Sequence, residues 1–207
     1  MKILVTGGCG FIGSNFIDYL LKDTKTKGIE ILNLDKLTYA ASGRNLERMK
    51  IHKDGRYKFF KGDICNKELL KKIFLREKPE IVFNFAAESH TDKSIKKPKN
   101  FLKTNIFGVY NILELVKKYN IKKFIQISTD EVYGSIIRGA FTEKSKLNPS
   151  NPYAASKAAA ELIALSYYKT YNTPITITRS SNNYGQYQFP EKLMPLFITN
   201  LIEGKKV

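Results

Sequence analysis

Two groups of side chains in this sequence have the types and spacing needed for proton transfer. The first is the adjacent pair Asp130 and Glu131, which follows the apolar, strand-like segment 124–127. Ligands bind at the carboxyl ends of parallel strands, and two carboxyl groups of different ionisation can act there as general acid and general base. Thr129, directly before the pair, could hydrogen-bond an oxygen of the same substrate. The alternative for the pair is an ordinary charged loop.

The second group is Tyr153 with Lys157, four residues later. This spacing places both side chains on one face of a helix. An ammonium group near a phenol favours the phenolate, so the sequence predicts that the pKa of Tyr153 is lowered and that its phenol acts as a base toward a hydroxyl group. The alternative is an ordinary helix start after Pro152, with the lysine in solvent.

A glycine-rich turn near the start of the chain indicates a dinucleotide site. Gly7, Gly10 and Gly13 lie between a strand-like run and a helical pattern, where they permit a tight turn, the approach of a pyrophosphate and close helix packing. Asp35 ends the next strand-like run. An acidic side chain there binds the adenosine ribose hydroxyls and repels a 2′-phosphate, which predicts NAD rather than NADP. Lys36, beside Asp35, favours NADP instead.

Strand-like runs alternate with helical patterns along the chain. The strand-like runs are 3–6, 29–34, 57–61, 81–85, 124–128 and 175–179. The helical patterns are 13–22, 67–77, 101–119 and 152–171. This alternation predicts an α/β fold with a doubly wound parallel sheet, a Rossmann-type domain. We expect this domain to span residues 1–180 and to carry the catalytic residues.

The pattern changes after residue 179. Residues 180–190 form a polar and aromatic segment, and a helical pattern begins at 191. We expect residues 181–207 to be the beginning of a small substrate-binding domain. We also expect the chain to be a C-terminally truncated form of a longer protein.

The composition argues against several functional classes. The formal net charge is +16, but the lysines are scattered and form no basic stripe interleaved with aromatic residues, which argues against nucleic-acid binding. No apolar stretch reaches the length of a membrane span, and the first residues read as a strand rather than a signal peptide. Cys9 and Cys65 are the only cysteines, which suits a reducing cytoplasm. We expect no metal site.

The helical patterns at 101–119 and 152–171 carry more apolar positions than one buried stripe requires. A helix that is apolar on two sides is either deeply buried or packed against a partner chain. We therefore expect a homodimer through these two helices. The alternative is that both sides are buried inside a single chain.

Longer motifs match a known group of enzymes. They lie at 6–15 (TGGCGFIGSN), 33–39 (NLDKLTY), 86–90 (AAESH), 128–134 (STDEVYG), 181–185 (SNNYG) and 189–193 (FPEKL). With these motifs the chain resembles, over its whole length, the dTDP-glucose 4,6-dehydratases of the extended short-chain dehydrogenase/reductase family. The motifs at 128–134 and 181–185 are far more specific than the glycine turn.

The resemblance implies a reaction in which NAD is regenerated in each turnover. Tyr153, assisted by Lys157 and Thr129, would remove the proton of the glucose C4 hydroxyl while NAD takes the C4 hydride. The resulting ketone acidifies the C5 proton, which Glu131 would abstract, and Asp130 would protonate the C6 hydroxyl as it leaves as water. The hydride would return to C6, which gives a 4-keto-6-deoxy sugar nucleotide.

The resemblance also implies the ligand contacts. Besides the glycine turn, the residues that would contact NAD are Phe11, Ile12, Asp35, Lys36, Leu37, Thr38, Asp63, Ile64, Phe85, Ala86, Ala87, Glu88, Ser89, Thr104, Tyr153, Lys157 and Asn183. The residues that would contact the sugar nucleotide are Ser89, Thr129, Asn182, Lys192, Leu193, Met194 and Pro195. The alternative for Asp63 is a helix cap, and for Lys192 an exposed lysine at a helix start. We expect His90 to have a structural hydrogen-bonding role.

Two other functions stay open from the sequence. One is a related nucleotide-sugar enzyme, a UDP-glucose 4,6-dehydratase or a 4-epimerase. An epimerase needs no carboxylate pair, so Asp130 and Glu131 argue against it. The other is an inactive fragment that only binds NAD or dimerises, because the part of the family that covers the nucleotide would be missing. The sequence does not distinguish thymidine from uridine.

Overall fold

A parallel β-sheet forms the centre of the structure, a computed structural model that describes residues 1–41, 43–48 and 50–207. Its strands are β1 (Lys2–Thr6), β2 (Glu30–Asp35), β3 (Tyr57–Lys61), β4 (Ile81–Asn84), β5 (Lys123–Thr129) and β6 (Ile175–Ser180). In the described residues the spatial order is β3-β2-β1-β4-β5-β6, and each neighbouring pair is parallel. The order reverses beside β1, and a ligand cleft is expected at the carboxyl ends of the strands there. The predicted doubly wound sheet is confirmed.

Helices connect the strands and cover both faces of the sheet. They are α1 (Phe11–Lys22), α2 (Gly43–Arg48), α3 (Lys67–Glu77), α4 (Thr91–Lys96), α5 (Pro98–Phe101), α6 (Val109–Lys118), α7 (Pro152–Tyr171) and α8 (Leu193–Ile202). A π-helical segment, Leu102–Gly108, joins α5 to α6, and a 3₁₀ helix, Asp130–Tyr133, follows β5. Shorter 3₁₀ helices occupy Thr24–Thr26 and Ile51–Lys53.

The sequence predicted α3 and α7 with their observed bounds and α1 to within two residues. It treated 101–119 as one helix, where the structure has the end of α5, the π-helical segment and α6 in succession. It missed α4, whose one buried residue is Ser94. A helix of six residues without a buried apolar stripe gives no periodic signal.

Alternating strand residues bury both faces of the sheet. Leu4 and Leu32 pack with residues of α3, α6 and α7. Ile3 and Ile31, one position away along the same strands, pack with residues of α1 on the opposite face. All four are at most 3% exposed, and each such side chain contributes about 1.5–3 kcal/mol of transfer free energy. The strand ends that carry the site are therefore held by a packed layer on each side.

Much of the apolar surface of α6 and α7 is buried within the chain. Val109, Ile112, Leu113 and Val116 of α6 are nearly inaccessible and belong to the core. The burial of these four residues agrees with the alternative prediction, in which both sides of the helix are buried inside a single chain. The π-helical segment keeps Phe107 exposed at 61%, and Leu102 of the same segment and Leu162 of α7 are also exposed. The homodimer stays a prediction.

The residues after β6 differ from the rest of the chain. α8 has no buried residue, and its apolar side chains, including Leu201 and Ile202, are exposed. The division of the chain at residue 180 stays a prediction. Within the described residues, no helix combines the length and apolar character needed to cross a membrane. No cluster of three His, Cys, Asp or Glu side chains suited to a metal lies in the described part of the chain.

Candidate active site

The glycine turn connects β1 to α1 at the centre of the carboxyl edge. Gly7 has a φ of +72°, and a Cβ there would lie 2.6 Å from the backbone nitrogen of Ala86. A Cβ at Gly13 would collide with the carbonyl oxygen of Gly7. At Gly10, which caps α1, a Cβ would be 3.3 Å from that oxygen, and nothing closer is present in the described structure. The first and third glycines are thus required by packing, and the second leaves the helix N-terminus open to an anion.

Asp35 lies at the end of β2 beside this turn. Its carboxylate accepts hydrogen bonds from the backbone N–H groups of Cys9, at 2.9 Å, and Leu37, at 2.8 Å. Burial raises the pKa of Asp35, despite the lowering by the two amides and by Lys36. Each oxygen still has a free lone pair, so the carboxylate can also accept from ribose hydroxyls.

Lys36 is surrounded by oxygen atoms of other predicted cofactor residues. Its Nζ lies 3.4 Å from Glu88 Oε1, 3.7 Å from Asp63 Oδ2 and 3.4 Å from Thr104 Oγ1. An ammonium group with two carboxylate neighbours is poorly suited to receive a 2′-phosphate, because the acids repel it. The arrangement therefore strengthens the preference for a cofactor without that phosphate.

Asp63 follows β3 and is not the cap of the next helix. Its Oδ1 accepts from the backbone N–H of Cys65 at 2.9 Å, which closes a turn. The side chain that caps α3 is Asn66, which accepts from the N–H of Leu69. The helix-cap alternative for Asp63 was therefore wrong, and Asp63 instead borders the cleft.

A cleft of about 330 Å³ runs along the carboxyl ends of the strands. The predicted residues that line it are Gly7, Gly10, Phe11, Ile12, Gly13, Asp35, Lys36, Thr38, Asp63, Ile64, Phe85, Ala86, Ala87, Ser89, Thr104, Thr129, Glu131, Tyr153, Lys157, Asn182, Asn183 and Lys192. The predicted residues that do not line it are Leu37, Glu88, Asp130, Leu193, Met194 and Pro195. Leu193 and Met194 are instead exposed on α8, and Glu88 lies against Lys36.

Several cleft residues escaped the sequence analysis. Ser128, Ser180 and Ser181 lie at the carboxyl ends of β5 and β6, a position that could have identified them. Gln188 and Phe189 lie in the following loop. Phe189 belongs to the motif at 189–193 but was not predicted to contact a ligand, and no periodic signal marks Gln188. The buried Oγ of Ser128 has no hydrogen-bond partner in the described structure, and a buried hydroxyl without a partner at a cleft wall suits a polar ligand.

Tyr153 and Lys157 lie on one face of α7, as predicted, and both are buried. Burial raises the pKa of Tyr153 to about 12, helped by the negative charge of Glu131 and opposed by a hydrogen bond with Thr129. The predicted lowering of this pKa was therefore wrong. The main cause is burial of the phenol. Lys157 donates a hydrogen bond to the carbonyl oxygen of Ile127, at 2.5 Å, and burial lowers the pKa of Lys157 itself to about 8.

The two neighbouring carboxylates have different surroundings. Thr129 starts the 3₁₀ helix, where its Oγ1 accepts from the N–H of Glu131 at 3.2 Å and donates to Asp130 Oδ1 at 3.3 Å. Glu131 lines the cleft with Tyr153, and its Oε2 accepts from Asn151 Nδ2 at 3.2 Å. Asp130 does not line the cleft. Of the predicted acid–base pair, Glu131 thus lines the cleft and Asp130 does not, although the charges of both act on the phenol of Tyr153.

The glycine turn, the acid at the end of β2 and the open helix N-terminus together suit the pyrophosphate and ribose of a dinucleotide. Tyr153 and Lys157 of α7 line the same cleft. The fold and this site define a dinucleotide-binding protein of the short-chain dehydrogenase/reductase type.

A family model described as GDP-mannose 4,6 dehydratase matches residues 4–207, and the chain belongs to this family. It is 44% identical over 209 residues to a dTDP-glucose 4,6-dehydratase of Streptomyces niveus, a match that covers 100% of this chain and 61% of that protein. The resemblance found in the sequence is confirmed.

Solved structures agree. A dTDP-glucose 4,6-dehydratase of Bacillus anthracis in complex with NAD has a TM-score of 0.89 and 50% identity, with 100% of this chain and 63% of that chain covered. A UDP-glucose 4-epimerase of Thermotoga maritima with UDP-glucose has the same TM-score at 32% identity, with 100% and 65% covered. The chain thus spans about three-fifths of the length of these relatives. The backbone alone does not separate the two activities.

Proposed function

We propose that this chain carries the NAD site and the proton-transfer groups of a dTDP-glucose 4,6-dehydratase. The observation that carries the proposal is that Glu131 borders the cleft beside Tyr153 and Thr129. The substrate and the cofactor are proposed from the names of the relatives, in which dTDP-glucose and NAD recur.

The residues at the carboxyl edge fit the cofactor. Asp35 would bind the adenosine ribose, and the turn at Gly7 and Gly10 would bind the pyrophosphate. When bound, NAD would supply a hydride acceptor for C4 of the hexose and a hydride donor for C6. Lys157 would support Tyr153 from the same helix face, and Asn183 borders the cleft from the loop after β6.

Proton transfer would use the residues of β5 and α7. Tyr153, hydrogen-bonded with Thr129, would take the proton of the C4 hydroxyl. Its raised pKa makes the free phenol a weak acid, so a positive charge near it must favour the phenolate during turnover. Glu131, which lies in the cleft, would remove the C5 proton as general base. Asp130 would protonate the leaving C6 hydroxyl, which requires this carboxyl to turn toward the cleft.

The carboxylate in the cleft favours a dehydratase over an epimerase. Oxidation and return of hydride at C4 require only a base and a cofactor. Loss of water from C5 and C6 requires an additional base and an acid. Glu131 can serve as the additional base, because it lines the cleft as a carboxylate distinct from the phenol of Tyr153. Lys192, also at the cleft, is suited to a diphosphate.

A cytoplasmic homodimer is the second part of the proposal. The free thiols Cys9 and Cys65 suit a reducing compartment. The exposed apolar side chains Phe107 and Leu162 lie on the π-helical segment and on α7, the two regions expected to pair. Sedimentation of the chain and of Phe107→Glu tests the dimer, which the variant should dissociate.

An assay for the product tests the catalytic proposal. The chain is incubated with NAD and either dTDP-glucose or UDP-glucose, and the 4-keto sugar is measured by its absorbance in alkali. Product from dTDP-glucose that is lost in Glu131→Gln and in Asp130→Asn supports the dehydratase. Glu143→Gln, an exposed glutamate in the following loop, is the matched control and should keep full activity. NAD binding without product would favour a chain that binds the cofactor but lacks catalytic competence.

A further inference from the structure

Glu191 joins three loops at the mouth of the cleft. Its Oε2 lies 3.1 Å from Lys93 Nζ and 3.5 Å from His90 Nε2, both at the start of α4. Its Oε1 accepts from the hydroxyl of Tyr39, at 3.4 Å, in the loop after β2. These residues form a cluster that we call the Glu191 clamp: Glu191, Tyr39, His90 and Lys93. The clamp connects the segment after β6 to the segments after β2 and β4.

Aromatic contacts reinforce the clamp. Lys93 Nζ lies 3.3 Å from the centroid of the Tyr39 ring, a cation–π contact. The same ring meets the edge of Phe189, with centroids 5.6 Å apart and planes at 90°. Phe189 and Lys192, on either side of Glu191, line the cleft. The side chain of Glu191 is 25% exposed and that of Lys93 is 44% exposed, so solvent screens this pair less than a fully exposed one.

A second contact holds the other end of the same segment. Asn15 of α1 donates from Nδ2 to the carbonyl oxygen of Gln186 at 3.0 Å. The segment 181–192 therefore crosses from the helix that begins at the glycine turn to the loop after β2. Asn183 and Gln188 of this segment line the cleft.

We propose that the Glu191 clamp keeps segment 181–192 closed over a bound dinucleotide and so limits the rate at which NAD dissociates. This inference rests on the proposed function, since it requires the cleft to bind NAD. Glu191 and Lys93 act as positioning residues, because neither lines the cleft. They would act on a bound dinucleotide through Phe189, Gln188 and Asn183, which line the cleft.

Stopped-flow fluorescence of NADH tests the proposal. The full chain is loaded with NADH and mixed with excess NAD, and loss of NADH fluorescence gives the dissociation rate. Glu191→Gln and Lys93→Gln should each raise this rate about fivefold to tenfold, as expected for loss of a partly buried charged hydrogen bond. The double variant should be no faster than the faster single variant by more than twofold, since both changes remove one shared contact.

A matched control removes an ion pair of the same type elsewhere. Glu80 lies 2.6 Å from Lys122 at the amino ends of β4 and β5, the opposite edge of the sheet. Glu80→Gln should leave the NADH dissociation rate unchanged. The association rate separates the clamp from general damage, because a malformed cleft would bind NADH more slowly whereas an opened segment would not.

The outcomes are distinguishable. Dissociation rates of Glu191→Gln and Lys93→Gln within twofold of the parent would overturn the clamp, and so would a slower association in both. A parent chain that binds no NADH at any concentration would overturn the proposed function together with the clamp. If the parent chain binds NADH and both variants release it at the parent rate, the clamp is overturned and the proposed function is not.

Discussion

The ammonium group of Lys157 donates a hydrogen bond to the backbone carbonyl of Ile127, with 2.5 Å between Nζ and the oxygen. This bond joins α7 to β5 two residues before Thr129. The side chain of Lys157 is 5% exposed. A single carbonyl does not replace the hydration of an ammonium group, which explains why burial lowers the pKa of Lys157 to about 8.

Replacement of Lys157 by methionine is expected to stabilise the chain at neutral pH. The pKa falls from 10.5 to about 8 on folding, so between these values the unfolded chain binds a proton that the folded chain does not. The free energy of unfolding therefore rises with pH across this window, and below about pH 8 the full penalty is present. Lys157→Met should gain up to about 3 kcal/mol at pH 7 and much less near pH 10.

Urea denaturation of the cofactor-free chain at both pH values measures this difference. Lys169→Met, at an exposed position on the same helix, is the control and should change stability little at either pH. A Lys157→Met variant that is less stable than the parent at pH 7 would contradict the argument. It would mean that the hydrogen bond to Ile127 outweighs the cost of burying the charge.

Asn151 links helix α7 to Glu131, the proposed general base. Its Oδ1 caps the helix by accepting from the N–H of Ala154 at 2.8 Å, while its Nδ2 donates to Glu131 at 3.2 Å. Asn151→Ala removes both contacts and should cost about 1 kcal/mol of stability for the lost cap. Asn151→Asp keeps the cap acceptor but places a second carboxylate against Glu131. It should therefore keep the stability and lose about tenfold in product formation.

Thermal denaturation and the 4-keto sugar assay separate the two roles of Asn151. If Asn151→Ala and Asn151→Asp lose the same stability, the side chain is not acting as the cap. If Asn151→Asp forms product at the parent rate, its contact with Glu131 has no part in holding the base. Asn172→Asp, at the other end of α7, is the control for a charge change on the helix.

A buried ion pair fixes the position of the 3₁₀ helix that carries Glu131. Glu161 is fully buried and accepts from Arg179 Nη2 at 2.6 Å and from its Nε at 3.0 Å. Arg179 also donates to the hydroxyl of Tyr133, the last residue of that helix. Arg179→Met would leave the carboxylate of Glu161 buried without a counter-ion, at a cost of about 3–5 kcal/mol.

The double variant Glu161→Leu with Arg179→Met checks this explanation by urea denaturation. It should recover most of the lost stability, because no buried charge is left without a partner. A loss below about 1 kcal/mol in Arg179→Met would contradict it. Equal losses in the single and double variants would indicate that the contact with Tyr133, rather than the ion pair, carries the stability.

The sheet could be predicted from the sequence because its central strands β1, β2 and β5 are largely buried. Runs such as 3–6 and 124–128 are almost continuously apolar, and their alternation with helical patterns defines a doubly wound topology. The π-helical segment 102–108 could not be predicted, since its sequence has the same apolar spacing as the helices on either side. Helix α4 lacks a buried apolar stripe and gave no pattern.

The part of the site that depends on local sequence spacing could also be predicted. Gly7, Gly13 and Asp35 act through local backbone geometry, which follows from spacing along one β–α–β unit. The pKa of Tyr153 was predicted in the wrong direction, because it depends mainly on how deeply the phenol is buried, which its spacing from Lys157 does not reveal. The contacts of Glu191 with residues about 100 and 150 positions earlier in the chain left no trace in the local sequence.

Two glycine-to-alanine substitutions test the geometry of the cofactor turn. At Gly7 the backbone has a φ of +72° and a Cβ would lie 2.6 Å from Ala86 N, whereas at Gly28 a Cβ meets nothing within 4 Å in the described structure. Gly7→Ala should cost about 3 kcal/mol or more and weaken NADH binding, since both the strain and the collision fall on backbone. Gly28→Ala should be neutral or stabilise by up to about 1 kcal/mol, because it restricts the unfolded chain. Equal melting temperatures and equal NADH affinities of the two variants would show that the turn does not require glycine at its first position.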